Sequence, residues 1–92
     1  MNLLSEDDFT IRLTRDQALV LSDWLDRMEA NEEFDRLVNE DRAVWSPILQ
    51  ISGTLAKSLG EIFMPDYTVR LNAARERLKG ALGDTGRPPA DP

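Results

Sequence analysis

The side chains that could do chemistry in this chain are carboxylates, because it has seventeen aspartates and glutamates but neither histidine nor cysteine. Without those two residue types, the usual zinc sites, the Ser-His and Cys-His nucleophile pairs and His-based proton transfer are excluded. Paired carboxylates can act as general acid and base when an apolar pocket raises the pKa of one of them, but no pattern places two in such a pocket. We therefore expect a protein that is not an enzyme.

The acidic residues are concentrated in residues 26–41, which hold seven acids against the two bases Arg27 and Arg36. Like charge at this density destabilises the free protein through self-repulsion, while it speeds association with a basic partner. The spacing of an EF-hand calcium loop is missing, so a solvated or protein-binding surface is the better interpretation. The candidate partner-binding residues are Asp26, Glu29, Glu32, Glu33, Asp35, Glu40 and Asp41.

The remaining charge pattern argues against direct contact with nucleic acid. The net charge is −6, whereas phosphate binding depends on clustered lysine and arginine. A basic helix near the C-terminus could enter a DNA groove, but Glu76 interrupts its charge, and helix dipoles favour cations there in any case. No signal-peptide pattern and no apolar run near the roughly 20 residues of a membrane span are present in the sequence, so we expect a cytoplasmic protein.

The element that organises the chain is one amphipathic helix over residues 13–28. Thr14 followed by Gln17 is a capping box, in which each side chain bonds the backbone N–H of the other residue. Apolar residues recur behind this cap at helical spacing: Ala18, Leu21, Leu25 and Met28. We interpret Trp24, and likewise Trp45, as a core residue rather than a stacking platform, because tryptophan is mostly buried.

Three further segments have a helical pattern, over residues 32–44, 48–59 and 67–79, and the first of them is weakened at Asn39-Glu40-Asp41. Asn31 can either end the first helix or cap the second. Ser46-Pro47 predicts a break or sharp kink, with the serine as N-cap and the proline at the first helical position. Asp66 is expected to cap the last helix, and Gly80 to end it.

Both ends of the chain have weaker patterns. Residues 1–8 are polar and expected to be loose, and residues 81–92 are predicted to be a disordered Pro/Gly-rich tail. Between them, residues 9–80 form a single domain, which begins with Phe9, Ile11 and Leu13 at the period of a half-buried strand. Since no second strand is evident, this segment either packs on the helices as an extended arm, which we favour, or pairs with its equivalent in a second chain.

Several of these segments resemble, in the same order, a group of small uncharacterised bacterial helical proteins. The shared segments are LTRDQALVL at residues 13–21 with Trp24-Leu25, Val44-Trp45, and residues 63–67 and 73–77. Pro47 departs from the group, in which this helix runs on. The resemblance implies a shared compact helical fold and carries over no catalytic residue.

Together the patterns predict a mostly α fold, a compact bundle of three to four helices with a short extended N-terminal arm. The expected function is that of a small acidic, non-catalytic protein-binding module. An immunity protein, an antitoxin or an inhibitor of a nucleic-acid-handling enzyme would each fit. The alternative is a structural homo-oligomer or an accessory subunit. The expected partner is a protein with a basic surface. We expect no cofactor, metal, direct nucleic-acid contact or membrane contact, and a homodimer stays open.

Overall fold

The computed structural model describes residues 8–83, which form a bundle of four α-helices with two short 3-10 helices in the connections. The helices are α1 (Arg15–Met28), α2 (Glu32–Asn39), α3 (Trp45–Ser58) and α4 (Tyr67–Leu82), and the 3-10 helices are Arg42–Val44 and Gly60–Phe63. No strand occurs within this range. Nor does any helix in it combine the length and the hydropathy needed to cross a membrane. The predicted mostly α fold is confirmed.

The start of α1 is fixed by the predicted capping box. The Gln17 N–H donates to Thr14 Oγ1 at 3.1 Å, and the Thr14 N–H donates to Gln17 Oε1 at 2.8 Å. Two backbone donors that no helical carbonyl can reach are thereby satisfied. Since this signal is local in sequence, the sequence alone was sufficient to predict it.

The core lies between α1, α3 and α4. Each helix contributes residues that are less than a tenth exposed: Leu19 and Leu25 from α1, Leu55 and Leu59 from α3 and its C-terminal end, and Leu71 and Ala74 from α4. Because α1 packs against both α3 and α4, the prediction that it is the central helix is confirmed. The second helix lies outside this core, and its only fully buried side chain is Val38.

Three ion pairs between elements reinforce this packing. Arg77 on α4 donates twice to the Asp16 carboxylate on α1, at 2.7 and 2.9 Å. The Arg15 guanidinium forms a similar two-bond pair with Glu61 in the second 3-10 helix. Asp23 Oδ2 accepts from Arg75 at 2.7 Å and also from Arg27 on its own helix. Two of the basic residues of α4, Arg75 and Arg77, therefore bind α1, while Arg70 and Lys79 pair with the nearby Asp66 and Glu76.

The break near Pro47 is present, but its position differs from the prediction. α2 ends at Asn39, and the 3-10 helix Arg42–Val44 leads straight into α3, whose first residue is Trp45. Ser46 is therefore not the N-cap, and Pro47 lies in the first turn of α3. Proline is tolerated in the first turn of an α-helix, whereas in the interior it would kink the helix.

The ends of α4 also differ from the prediction. Asp66 makes no capping bond, because its carboxylate accepts from the Arg70 Nε at 2.9 Å instead. The helix continues through Gly80 to Leu82 and ends at Gly83, whose φ of 89° is accessible to glycine at no steric cost. A glycine inside a helix costs only about 1 kcal/mol, so Gly80 does not end it. The rest of the predicted tail, residues 84–92, lies outside the described residues, as do residues 1–7.

The N-terminal arm, residues 8–14, does not pack on the helices. Phe9 is 99% exposed and Ile11 is 82% exposed, and only Leu13 is partly covered. The favoured prediction that the arm packs on the helices is therefore wrong for Phe9 and Ile11. The physical reason is that α3 and α4 already cover the apolar side of α1, while Thr14 leaves the helix in an extended conformation with ψ of 165°.

Replacing Thr14 by alanine is expected to lower the free energy of unfolding by about 1 kcal/mol, the usual loss when a threonine N-cap is removed. Urea unfolding followed by circular dichroism measures it. The control is Thr10→Ala in the exposed arm, which should leave the free energy unchanged. Equal losses in the two variants would show that the capping bonds do not stabilise α1.

Candidate protein-binding face

The helix that carries most of the acidic residues, α2, forms because its first turn is well capped. The Asn31 Oδ1 accepts a hydrogen bond from the Phe34 N–H at 3.0 Å, so Asn31 caps the second helix rather than ending the first. Three carboxylates in the first turn lie near the positive end of the helix dipole: Glu32, Glu33 and Asp35. Part of the acidic charge therefore stabilises a helix of only eight residues.

An aromatic cluster connects α2 to the rest of the bundle. The Phe34 ring meets Trp24 edge-to-face at a centroid distance of 5.6 Å, and Trp45 at 6.0 Å. The Trp45 indole N–H donates to Asn39 Oδ1 at 2.9 Å. Trp45 is half-buried, but Trp24 is 41% exposed, so the prediction that Trp24 is a core residue is wrong. The reason is that α2 is too short to cover the outer side of α1.

Beside this cluster, one large apolar side chain is presented to solvent. Leu37 is 66% exposed and lies one helical turn after Phe34. Its neighbours along the helix surface, four residues before and three after, are Glu33 and Glu40. An exposed leucine next to aromatic rings and between two carboxylates has the composition of a protein-binding surface, with an apolar centre and a charged rim. We refer to Trp24, Glu33, Phe34, Leu37 and Glu40 as the α2 face.

Five of the seven predicted acidic residues belong to α2 and its C-terminal end, and the other two belong to α1 and its C-terminal end. Glu32, Glu33, Asp35, Glu40 and Asp41 all lie on α2 or directly after it. Asp26 lies two residues after Trp24 on α1, and at 3.6 residues per turn such residues project to nearly opposite sides of a helix. Glu29 follows the last residue of α1 and has one carboxylate oxygen buried without a hydrogen-bond partner among residues 8–83.

The acids of the α2 face are not needed to hold the bundle together. The ion pairs that join different elements use Asp16, Asp23 and Glu61, all outside α2. On the face itself, Glu33 pairs at 3.0 Å with Arg36 of the same helix, and both side chains are mostly exposed. Such a surface pair contributes little to stability. These carboxylates are therefore available to a partner.

On the other side of α1, a groove of about 230 Å³ lies between α1, α3 and the start of α4. Its lining includes Ser22, Asp26, Ser52, Phe63 and Tyr67. Burial raises the pKa of the Tyr67 hydroxyl, and the nearby charges of Asp23 and Asp26 raise it further, against the opposing effect of Arg75. Tyr67 is therefore a neutral phenol at physiological pH.

Metal binding finds no support in the part of the chain that the structure describes. No group of three or more aspartates and glutamates in residues 8–83 is arranged to hold a metal ion.

No protein-family model matches the chain, and it matches neither a curated protein nor a solved structure. The case for function therefore depends on the geometry of the α2 face.

Three members of the α2 face were not predicted as site residues, namely Trp24, Phe34 and Leu37. Phe34, Leu37 and Val38 have the spacing of a buried stripe, and the sequence does not reveal how wide a stripe the bundle covers. The one available signal was the density of acids on both sides of Leu37, since a buried leucine rarely has two carboxylates as helix neighbours.

Acid is expected to weaken the fold in a defined range of pH. The hydrogen bonds from Arg15 lower the pKa of Glu61 from its ordinary 4.5 to about 2, and those from Arg77 lower the pKa of Asp16. A lowered carboxyl pKa adds stability that is complete above the ordinary value and lost as the pH falls through the lowered one. In urea titrations, the free energy of unfolding of the wild type should decline as the pH falls from 5 to 2 (a range of roughly the ordinary to the lowered value). Glu61→Gln and Arg15→Gln should each make this decline shallower, by similar amounts. Curves parallel to wild type in both variants would contradict this assignment.

Proposed function

We propose that this protein is a small non-catalytic binding module that recognises a basic surface of another protein through the α2 face. The observation that carries the proposal is Leu37, 66% exposed beside the Trp24–Phe34–Trp45 cluster and between two carboxylates that form no ion pair with another element in residues 8–83. Isolated exposed leucines are ordinary on protein surfaces. One that continues an aromatic cluster inside an acidic rim supports an interaction site.

The two kinds of side chain on this face would have different roles in binding. The apolar part, Trp24 and Leu37, would supply affinity, because burying apolar surface is worth about 25 cal/mol per Å². The carboxylates would attract a basic partner from a distance and orient it, which raises the association rate and makes it sensitive to salt. A partner that fits has an apolar pocket surrounded by lysine and arginine.

Several classes of cytoplasmic protein bind in this way, and an immunity protein, an antitoxin and an inhibitor of a nucleic-acid-handling enzyme are the ones we propose. Nucleic-acid-handling enzymes carry basic surfaces that an acidic protein can cover. The resemblance to small bacterial helical proteins stays a prediction and adds no residue to this proposal. Because α1, α3 and α4 form the core without α2, changes on the α2 face should leave the fold intact.

The role of charge is tested by reversing it on the face. Glu33→Lys with Glu40→Lys is compared with Asp66→Lys with Glu76→Lys on α4, which makes the same change in net charge and also removes only surface pairs. After the partner is captured with wild-type protein, association is measured by surface plasmon resonance from 50 to 500 mM salt, roughly a threefold range of screening length. The α2 variant should associate about tenfold more slowly at low salt and lose most of its salt dependence.

The control variant should keep at least half of the wild-type rate, because its changes lie outside the face. If the two variants slow association equally, net charge rather than the α2 face attracts the partner. If neither slows it, the acidic residues are only solvated surface. Either result would overturn the proposal.

A further inference from the structure

The N-terminal arm has the features of a segment that docks on another surface. Phe9 and Ile11 are among the most exposed apolar side chains in residues 8–83, and neither touches the core. They alternate with Thr10 and Arg12, so an extended arm presents them on one side. Leaving both in water forgoes the free energy of burying them, which a receiving surface would recover.

The groove beside α1 is a receiving surface of matching character. Phe63 at its edge is itself 83% exposed, and Ala56, Ile62 and Tyr67 provide further apolar lining. Its volume of about 230 Å³ accommodates one or two large side chains rather than a whole helix. The occupant that fits is therefore an extended segment with spaced apolar residues.

Charge complementarity links the arm to this groove. Asp26 at the groove is exposed and makes no ion pair within residues 8–83, whereas its neighbour Asp23 is held by Arg27 and Arg75. Arg12, between Ile11 and Leu13, is also exposed and has no ion-pair partner in that range. With the apolar side of the arm in the groove, the long Arg12 side chain can reach the Asp26 carboxylate at the rim.

The arm that enters the groove comes from a second copy rather than from the same chain. To reach its own groove, the arm would have to reverse direction directly before Thr14, whose extended backbone is fixed by the capping box. Residues 9–13 contain none of the residues that favour such a reversal, namely glycine, proline, asparagine, aspartate and serine. An arm that continues straight meets another molecule.

We propose that two copies of this chain form a symmetric dimer in which each arm lies in the α1–α3–α4 groove of the other copy. Because each copy gives one arm and receives one, the same contact forms twice. Trp24 and Asp26 project to nearly opposite sides of α1, so the dimer leaves the α2 face of both copies open. This inference does not depend on the proposed function.

Cross-linking between two single-cysteine proteins tests the exchange, since the natural chain has no cysteine. Thr10→Cys labels the arm and keeps its apolar residues, and Ser52→Cys labels the groove with an isosteric change. The two proteins are mixed and treated with a short bismaleimide, which does not require disulfide geometry. The matched control replaces Ser52→Cys with Ser58→Cys, on the exposed C-terminal end of the same helix. Mass spectrometry should find the 10–52 product in the mixture and at least several times less of the 10–58 product.

Three results would overturn the proposal. The first is the absence of the 10–52 product from the mixture. The second comes from a double variant that carries both Thr10→Cys and Ser52→Cys: a 10–52 product formed only within single chains would place the arm in its own groove. The third is a dominant 10–10 product from Thr10→Cys alone, which would mean that the two arms pair with each other.

Sedimentation equilibrium gives an independent measure of the dimer. Phe9→Ala with Ile11→Ala should raise its dissociation constant by roughly a hundredfold or more, because two side chains leave each arm and each buried side chain of this size is worth about a factor of ten. The control is Leu49→Ala on α3, whose side chain is 55% exposed and lies outside the arm and the groove lining. Unchanged dimerisation in the arm variant, or a monomeric wild type, would also contradict the exchange.

Discussion

Replacing Leu19 by alanine is expected to lower the free energy of unfolding by about 2–5 kcal/mol, the usual cost of removing a buried leucine side chain. Leu19 is 4% exposed and lies in the cluster where α1 meets α3 and α4. The cluster has only six fully buried members, so neighbouring side chains have few ways to fill the cavity. Since small domains are stable by about 5–15 kcal/mol in total, this one change would remove a large part of the stability.

Thermal and urea unfolding measure the Leu19→Ala effect against Leu37→Ala, which truncates the same residue type where it is 66% exposed. The Leu37 variant should stay within about 0.5 kcal/mol of wild type, as surface substitutions usually do. A loss below 1 kcal/mol for Leu19→Ala (roughly the value of one buried methylene) would mean that α1 is not the central helix.

The same Leu37→Ala change is expected to have the largest effect on partner binding, raising the dissociation constant by about 30-fold or more. Its side chain is the apolar centre of the α2 face, and truncation there removes burial without altering charge or fold. Trp24→Ala should weaken binding similarly, although it also removes the ring contact with Phe34. Isothermal titration calorimetry with the captured partner measures both.

The matched control for this prediction is Val69→Ala on α4, since Val69 is 69% exposed and lies far from α2 in the sequence. It should leave the dissociation constant within a factor of about two. Equal effects of Leu37→Ala and Val69→Ala would show that binding does not involve the α2 face.

The features that the sequence predicted correctly are those set by nearby residues. The Thr14–Gln17 capping box and the Asn31 cap, the latter as one of two options, each depend on a spacing of three residues. Such signals act within one helical turn, so they do not require knowledge of the rest of the fold.

The predictions that were wrong concern features that depend on how different elements pack against one another. Trp24 is exposed because α2 is only eight residues long and ends at Asn39, where the sequence pattern of the predicted helix weakens. Phe9 and Ile11 are exposed because α3 and α4 already occupy the apolar side of α1. Gly80 lies inside a helix because the cost of one helical glycine is too small to end it.

The features of the candidate site divide in the same way, into those visible in the sequence and those that depend on the folded structure. The acidic density of residues 26–41 was visible directly, and five of those seven acids lie on α2 or directly after it. The opposite placement of Asp26 follows only from knowing that Trp24 faces Phe34, which is a contact between different helices. The role of Leu37 likewise required the exposed fraction of its side chain, which sequence spacing does not give.

Photo-cross-linking from the centre of the α2 face tests directly whether this face binds a protein with a basic surface. Benzoylphenylalanine is placed at Leu37 in one protein and at Val69 in another, and each is irradiated in a lysate of the cells from which the chain comes, at set salt concentrations. Position 37 should capture a protein with a basic surface, and position 69 should not. Because the capture depends on charge, 500 mM salt should reduce it (at roughly a 4 Å screening length). Equal capture from both positions, or an acidic protein captured from position 37, would contradict this proposal.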